Sequence, residues 1–212
     1  MKRSTNILLK TLTWISCLWP LALLVWGAFT NNLGADPTAR ITFTTGATTL
    51  NLLTISLAIT PVRRLIPGFG WIGPWRKLIG LFAFFYATLH LATYVALYAG
   101  FNLHTMLDDV TKRRFIAVGF IAWLLLVPLA ATSTNWAIRK MGGKRWKRLH
   151  KLVYIAAICG IIHYWWQVKP GVLSPTSNTV ILFILLAARP ILDWVQSRKR
   201  RTPTPTTAPL AR

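Results

Sequence analysis

Three histidines lie inside long apolar stretches of this 212-residue chain: His90, His150 and His163. Ionisable side chains at membrane depth are costly, and those that occur usually line a pathway or hold a ligand. Neutral imidazole is a common ligand of metals and of haem iron. The three histidines therefore indicate a membrane protein that binds haem. The fourth histidine, His104, lies near acidic residues, and we expect an ordinary loop residue there.

The composition indicates a protein that crosses the membrane several times. Hydrophobic residues make up 54% of the chain and charged residues only 14%, which is far too apolar for a soluble domain of this length. The net charge is +21, but the basic residues lie in short runs between apolar blocks, so membrane topology explains them better than nucleic-acid binding. Cys17 and Cys159 are expected to be small core residues. No Cys-x-x-Cys-His motif occurs, so any haem should be b-type.

Six charge-poor stretches approach the length of about 20 residues that a membrane-spanning helix needs. The first resembles a signal peptide in its charge order, but it is as long as a span and no clear cleavage site follows, so we expect a retained helix. The predicted fold is an all-α integral membrane protein, with residues 1–197 forming a six-helix transmembrane haem-binding domain and residues 198–212 a basic, Pro/Thr-rich disordered cytoplasmic tail. The predicted spans are Thr11–Phe29, Phe43–Val62, Leu78–Phe101, Phe115–Trp136, Leu149–Val168 and Thr176–Val195.

The distribution of basic residues predicts the orientation. With six spans, 20 of the 25 Lys and Arg residues lie on the side that holds both termini and five lie on the other side. Because Lys and Arg accumulate in cytoplasmic loops, both termini should be cytoplasmic. Arg189 and Asp193 lie four residues apart near the end of the sixth span, where they can pair or extend towards the surface.

Two of the histidines should lie at the same depth. His90 follows Lys77 by 13 residues and His163 follows Lys151 by 12 residues, which correspond to about 20 and 18 Å along helices that enter from the same side. Both imidazoles then lie in the outer half of a core about 30 Å thick. We predict that they are the axial ligands of one haem iron. Two strong ligands leave no open position, which suits electron transfer rather than oxygen chemistry.

His150 lies at the cytoplasmic edge, in the basic run KRWKRLHK. It is a candidate ligand of a weaker second haem or a neighbour of a flavin or quinol, and the alternative is an interfacial residue in a lipid-facing loop. A second haem at that level needs a partner near Arg76 or Lys77, where no histidine stands. Arg76, Lys77 and Arg148 would balance the charge of haem propionates or of a phosphate.

Five stretches carry a resemblance to a known family. They are LGADP (33–37), TG followed by LLTISLAITPVRRL (45–65), WRKLIGLFAFFYATLHLATY (75–94), GFIAWLLLVPLAATSTNW (119–136) and GKRWKRLHKLVYIAAICGIIHYWWQVK (143–169). On these stretches the chain resembles the MsrQ (YedZ) family, the haem-binding membrane subunits of a bacterial methionine sulfoxide reductase system. The length of the chain and the six-span plan also fit this family.

The resemblance implies a ferric-reductase-like transmembrane domain and a set of cofactors. In that wider class, two histidines on helix three and two on helix five hold two stacked haems. This chain has His150 and His163 on helix five but only His90 on helix three. One haem b is therefore expected, and the presence of a second, inner haem is left as an open question. The family is also described as flavin-associated, which implies FMN, although no residue here independently indicates an FMN site.

The resemblance also implies the partners. The family partner is MsrP, a periplasmic molybdenum-cofactor enzyme that reduces methionine sulfoxide in oxidised proteins, so this chain would be an electron-transfer subunit and not itself an enzyme. Electrons would come from the quinone pool or from a cytoplasmic flavin reductase. The outer loops Asn31–Phe43, Asn102–Arg114 and Lys169–Ser177 would form the docking surface.

Two other functions remain open at this point. A self-contained transmembrane ferric reductase is one alternative, against which the absence of nicotinamide and flavin domains argues. A metal transporter lined by histidines is the other, and the near absence of intramembrane carboxylates argues against proton coupling in it.

Overall fold

The computed structural model describes residues 3–167 and 175–201, and every regular element within them is helical. A short 3-10 turn, Phe69–Ile72, precedes the third helix, and a π-helical turn, Tyr94–Tyr98, continues it. The α-helices are α1 (Arg3–Phe29), α2 (Pro37–Leu65), α3 (Trp75–Thr93), α4 (Leu103–Lys112), α5 (Arg114–Ala131), α6 (Asn135–Met141), α7 (Gly143–Leu149), α8 (Leu152–Gln167) and α9 (Thr176–Arg201).

Five helical stretches in the described residues are long and apolar enough to cross a membrane, which confirms the predicted class of an all-α membrane protein. They are Ser4–Phe29, Pro37–Leu65, Phe69–Tyr98, Arg114–Ala131 and Thr176–Val195. The remaining predicted span corresponds to α8, which has 16 residues and ends at Gln167. Residue 167 is also the last described residue before the gap at 168–174. The count of six spans therefore stays a prediction.

Some predicted boundaries differ from the structure. The fourth predicted span continues to Trp136, whereas α5 ends at Ala131. The reason is local capping: Thr134 is extended, and its hydroxyl accepts a hydrogen bond from the Ala137 amide, which starts α6. At the other end of the chain, α9 continues to Arg201, four residues into the stretch assigned to the tail. Residues 202–212 of that tail lie outside the described residues.

The core is formed where two helix pairs meet. Helix α2 packs along α3 and α5 packs along α8, while α9 lies against α2 and α1 lies at the edge against α2 and α3. The central positions combine one branched residue, Leu57, with the small residues Ala83, Ala156 and Ala157, all almost fully buried. Small side chains let helix backbones approach closely, which is the usual basis of helix association in membranes.

A tyrosine from α3 enters the backbone of α1. Pro20 lies inside α1, and beside it the hydroxyl of Tyr86 accepts a hydrogen bond from the Leu21 amide at 3.1 Å and donates to the Cys17 carbonyl at 2.7 Å. These two backbone groups would bond to each other in a regular α-helix. The fully buried tyrosine thus joins the edge helix α1 to α3.

Pairing of Arg189 with Asp193, one of the two predicted arrangements, is not found among the described residues. Asp193 instead pairs with Arg64 of α2 at 2.6 Å. Arg189 donates to the carbonyl of Leu57, also in α2, at 2.7 Å. That carbonyl lacks its usual helical donor because Pro61, four residues further on, has no N–H. The hydrogen bond to this free carbonyl of α2 therefore fixes the position of Arg189, which is distant from Leu57 in the sequence.

The predicted outer loop Asn102–Arg114 contains the short helix α4. The Asn102 side chain caps its first turn. Asp109 holds the helix to its surroundings, since it accepts a hydrogen bond from the Tyr94 hydroxyl at 2.8 Å and pairs with Arg113 at 3.0 Å. The loop is therefore a structured surface fixed to the end of the third span.

Candidate haem site

His90 lies on α3 with its imidazole against α2. Its Nδ1 atom lies 3.0 Å from the carbonyl oxygen of Thr42 and 3.3 Å from the hydroxyl of Thr45. A carbonyl oxygen only accepts hydrogen bonds, so Nδ1 carries the proton. In a neutral imidazole Nε2 is then unprotonated and available as a metal ligand.

His163 lies on α8 and has the same arrangement against α5. Its Nδ1 atom donates to the carbonyl oxygen of Phe115 at 2.7 Å. Among residues 3–167 and 175–201, the Nε2 atoms of His163 and His90 have no hydrogen-bond partner. Metal-ligating histidines usually donate their second ring N–H to a carbonyl or carboxylate in this way, which fixes the tautomer and the ring orientation.

The two imidazoles face each other at a separation that fits one iron. Their ring centres are 5.9 Å apart, and their planes are inclined by 84°. With metal–nitrogen bonds of about 2 Å on each side, two imidazoles bound to one metal have ring centres roughly 6 Å apart. The structure thus brings together the two residues that the sequence predicts as axial ligands, with both Nδ1 atoms already engaged by the protein.

Two glycines allow this arrangement, and the sequence analysis did not single them out. A Cβ atom at Gly46 would lie 3.0 Å from Cε1 of His90, and a Cβ atom at Gly119 would lie 2.7 Å from Nδ1 of His163. Each ring therefore lies directly on a helix backbone. The only available signal was that both glycines fall within the stretches that resemble the MsrQ family.

His150 is not part of this pair. It follows α7, and α8 begins only at Leu152, so the predicted start of the fifth span at Leu149 is too early. The His150 amide donates to the Trp146 carbonyl, which ends α7 with a turn before the next helix begins. The ring stacks on the Trp146 indole at 3.9 Å.

The ring nitrogens of His150 are used in the opposite way from those of the pair. Its Nε2 atom lies 3.2 Å from the hydroxyl of Thr132, which gives its own proton to the Pro128 carbonyl at 2.6 Å. The hydroxyl therefore accepts a hydrogen bond from the Nε2–H of His150, and Nε2 is the nitrogen that His90 and His163 leave available. Iron ligation through Nε2 would require His150 to give up this bond.

The predicted cationic partners lie in different environments at the same end of the bundle. Arg76 is partly buried and donates to the Thr60 hydroxyl at 3.3 Å, while its carbonyl accepts from Ser56 at 3.1 Å. Lys77 and Arg148 are exposed. The structure thus ties Arg76 to α2 and leaves the other two side chains at the surface.

Arg189 is a further cation in this region that the predicted site did not include. Its guanidinium lies 4.8 Å above the ring of Tyr154 and donates to the Tyr154 hydroxyl. Its buried Nε atom has no partner in the described part of the chain. An arginine within a membrane-spanning helix was the signal that could have indicated it.

The remaining candidates form no second centre. His104 is exposed on α4. Cys17 and Cys159 are free thiols, the first buried and the second partly buried. Within residues 3–167 and 175–201, no three His, Cys, Asp or Glu side chains converge as they would around a metal ion.

Known proteins resemble this chain at the level of sequence. The ferric reductase like transmembrane component family matches residues 44–161, which include His90 and His150. The haem-binding subunit MsrQ of a protein-methionine-sulfoxide reductase from Herminiimonas arsenicoxydans is 44% identical over 91% of this chain and 88% of its own length. The corresponding subunit from Ralstonia nicotianae is 42% identical over 88% of this chain and 86% of its own.

A third relative extends the coverage to nearly the whole chain. The MsrQ subunit from Xanthomonas oryzae pv. oryzae is 40% identical over 98% of this chain and 96% of its own length. No solved structure matches the chain significantly. Identities of 40–44% over nearly the full length establish homology, and the chain belongs to the MsrQ family of ferric-reductase-like transmembrane proteins.

Proposed function

We propose that this protein is a haem b electron-transfer subunit that passes electrons across the bacterial inner membrane to the periplasmic molybdenum-cofactor enzyme MsrP. The observation that supports this most directly is the pair of imidazoles of His90 and His163, 5.9 Å apart with both Nδ1 atoms held by backbone carbonyls. The names of the relatives, which are haem-binding subunits of methionine sulfoxide reductases, support the same role.

The residues of this chain would act mainly by holding and shielding the cofactor. A haem bound between the two imidazoles supplies reversible one-electron chemistry. His90 and His163 would hold the haem iron through their Nε2 atoms, and two such ligands would suit the iron to electron transfer rather than to binding a substrate. The surrounding apolar helices exclude water. Reduction of methionine sulfoxide therefore takes place on the partner and supports the repair of oxidised periplasmic proteins.

Electrons enter from the cytoplasmic side in this proposal, from the quinone pool or from a cytoplasmic flavin reductase. The excess of Lys and Arg on the side of the termini supports this orientation. His150, with Arg76, Lys77 and Arg148, lies at that end and is the candidate region for a second haem, FMN or quinol. On the opposite side, the proposed surface for MsrP consists of the loops Asn31–Phe43, Asn102–Arg114 and Lys169–Ser177, and residues 169–174 of the last loop lie outside the described part of the chain.

The test of this proposal is the haem content of variants of the two ligands. We expect His90→Ala and His163→Ala each to lose most of the haem from the detergent-purified protein, because one remaining axial ligand holds iron weakly. His104→Ala, which changes an exposed histidine on α4, is the matched control and should keep full haem. Full haem with an unchanged low-spin spectrum in both ligand variants would refute the assignment.

A further inference from the structure

Both imidazoles of the pair contact a neighbouring helix through the same two positions. His90 donates to the carbonyl of Thr42 and lies over Gly46, and His163 donates to the carbonyl of Phe115 and lies over Gly119. In each case the glycine follows the carbonyl residue by four positions. Residues four apart lie on one face of a helix, one turn above each other. The two halves of the site thus repeat one motif. Helix α2 provides the carbonyl and the glycine for the histidine of α3, and α5 provides them for the histidine of α8.

The glycine determines whether the ring can reach the carbonyl. In an α-helix the carbonyl of residue i bonds to the amide of residue i+4, so an outside donor must approach over residue i+4. A Cβ atom there would lie 3.0 Å from the ring of His90 or 2.7 Å from that of His163, and real Cβ contacts are essentially never closer than 3.0 Å. At Gly119, any larger residue must therefore displace the imidazole.

We propose that Gly46 and Gly119 are positioning residues that admit the axial imidazoles to the two carbonyls and thereby set the reduction potential of the haem. This inference rests on the proposed haem function. A ring N–H that donates to a carbonyl makes the imidazole a more basic ligand. A more basic ligand stabilises ferric iron relative to ferrous iron, so these contacts lower the potential. They also fix the angle of 84° between the ring planes.

The two halves of the motif are unequal. His163 has one close acceptor, at 2.7 Å, whereas Nδ1 of His90 is shared between Thr42 at 3.0 Å and Thr45 at 3.3 Å. The distance from a Cβ atom built on the glycine to the nearest ring atom is also shorter at Gly119, 2.7 Å, than at Gly46, 3.0 Å. Substitution at Gly119 should therefore have the larger effect on the iron.

The first experiment compares three glycine-to-alanine variants in the full-length haem-loaded protein. Gly119→Ala and Gly46→Ala are compared with Gly160→Ala, a matched control on α8 whose Cβ would meet only Leu50 at the ordinary distance of 3.8 Å. The readouts are haem content, an equilibrium redox titration and the low-spin ferric EPR signal. Near-perpendicular axial rings give a strongly anisotropic EPR signal, so this signal reports the ring angle directly.

We expect a higher potential and a less anisotropic EPR signal in Gly119→Ala, the same changes to a smaller extent in Gly46→Ala, and no change in Gly160→Ala. Alanine favours a helix more than glycine does, so backbone propensity alone would not cause a loss. If Gly119→Ala does not accumulate in the membrane, Gly46→Ala decides. A potential and EPR signal in Gly46→Ala that match those of Gly160→Ala would overturn the proposal.

A second experiment separates the positioning role from the haem assignment itself. In His163→Gly, added imidazole should restore the low-spin spectrum, because a free ring can occupy the space and reach the Phe115 carbonyl. Adding Gly119→Ala should weaken imidazole binding at least tenfold, whereas adding Gly160→Ala should not. Equal rescue in both double variants refutes the positioning role alone. A low-spin spectrum in His163→Gly without imidazole refutes the ligand assignment and the proposed function's site.

Discussion

Each imidazole of the pair uses one nitrogen for the protein and leaves the other for a ligand. His150 divides its nitrogens the other way, with Nε2 engaged by Thr132 and the ring stacked on Trp146. The three histidines are therefore not equivalent, although all three lie in apolar segments. The difference is which nitrogen meets an acceptor. A backbone carbonyl lies at Nδ1 of His90 and His163, whereas a hydroxyl lies at Nε2 of His150.

The hydroxyl of Thr45 offers a test at this scale. It gives its proton to the Ile41 carbonyl at 2.8 Å, so it can only accept a share of the Nδ1–H bond of His90. We expect Thr45→Val to retain haem and to raise its potential by about 20–40 mV, since a neutral hydrogen bond contributes about 0.5–1 kcal/mol and 59 mV corresponds to tenfold for one electron.

Thr49→Val provides the matched control for this titration. Thr49 lies one turn further along α2 and bonds only to the Thr45 carbonyl, at 2.9 Å, without a histidine contact. The haem in Thr49→Val should have the same reduction potential as in the unchanged protein. An equal shift in both variants would mean that Thr45 acts through general packing of α2 and not through His90.

At the scale of elements, side chains from other helices bond to backbone groups near prolines. Pro61 frees the Leu57 carbonyl for Arg189 of α9, and beside Pro20 the hydroxyl of Tyr86 from α3 bonds to the Leu21 amide and the Cys17 carbonyl. Both contacts join an outer helix to the central pair α2 and α3. Polar groups in a membrane interior need partners, so these few bonds determine where α1 and α9 dock.

The contact of Arg189 can be tested with a double-mutant cycle. Arg189→Met should lower stability by about 1–2 kcal/mol, because the Leu57 carbonyl loses its donor within the membrane. Pro61→Ala restores an N–H for that carbonyl, so the same arginine change should cost clearly less in the Pro61→Ala background. Thermal unfolding in detergent, followed by circular dichroism, measures all four proteins.

An exposed arginine serves as the control for the charge change. Arg145 lies exposed on α7, and Arg145→Met should leave the unfolding midpoint within experimental error. If Arg189→Met costs as much with Pro61→Ala as without it, the arginine does not act through the freed carbonyl. Its role would then lie in the contact with Tyr154.

The sequence predicted the meeting of His90 and His163 because helix rise per residue is constant, so counting residues from the membrane edge gives depth. The same counting could not give the acceptors at Thr42 and Phe115, since these depend on the rotation and separation of neighbouring helices. It also could not find the partner of Arg189, whose acceptor is freed by a proline 128 positions earlier in the chain. The depth of a residue follows from its own helix alone, whereas its contacts also depend on how the neighbouring helix is placed.

At the scale of the whole molecule, the described polar groups divide between two ends. The imidazole pair lies towards the end where α2 and α5 begin, at Thr42 and Phe115. His150, Arg76 and Arg189 lie towards the opposite end. In the proposed function these two regions correspond to electron delivery to MsrP and electron entry from the cytoplasmic donor.

This division leads to a kinetic prediction for His150. His150→Ala should slow reduction of the haem by the cytoplasmic-side donor by roughly tenfold or more, because that step takes place at its end of the molecule. Reoxidation by the periplasmic partner should remain within about twofold, since it takes place on the far side. Stopped-flow absorption at the haem bands measures both steps.

The control for this experiment is Lys144→Ala, an exposed change on α7 in the same basic segment. Normal reduction kinetics in His150→Ala, with full haem content, would leave His150 as an interfacial residue. Slowing of both reduction and reoxidation would indicate a disturbed haem pair instead of a local effect at the entry side.

The insertion of Tyr86 into α1 has a consequence for how the protein is assembled. Helix α1 is synthesised and can enter the bilayer before α3 exists, and at that stage the Leu21 amide and Cys17 carbonyl have only each other as partners. When α3 arrives, its tyrosine hydroxyl bonds to both groups, at 3.1 and 2.7 Å. The docking of α3 thus gives these backbone groups of α1 a partner outside their own helix, and slow hydrogen exchange at the Leu21 amide would mark the moment at which the first helix joins the bundle.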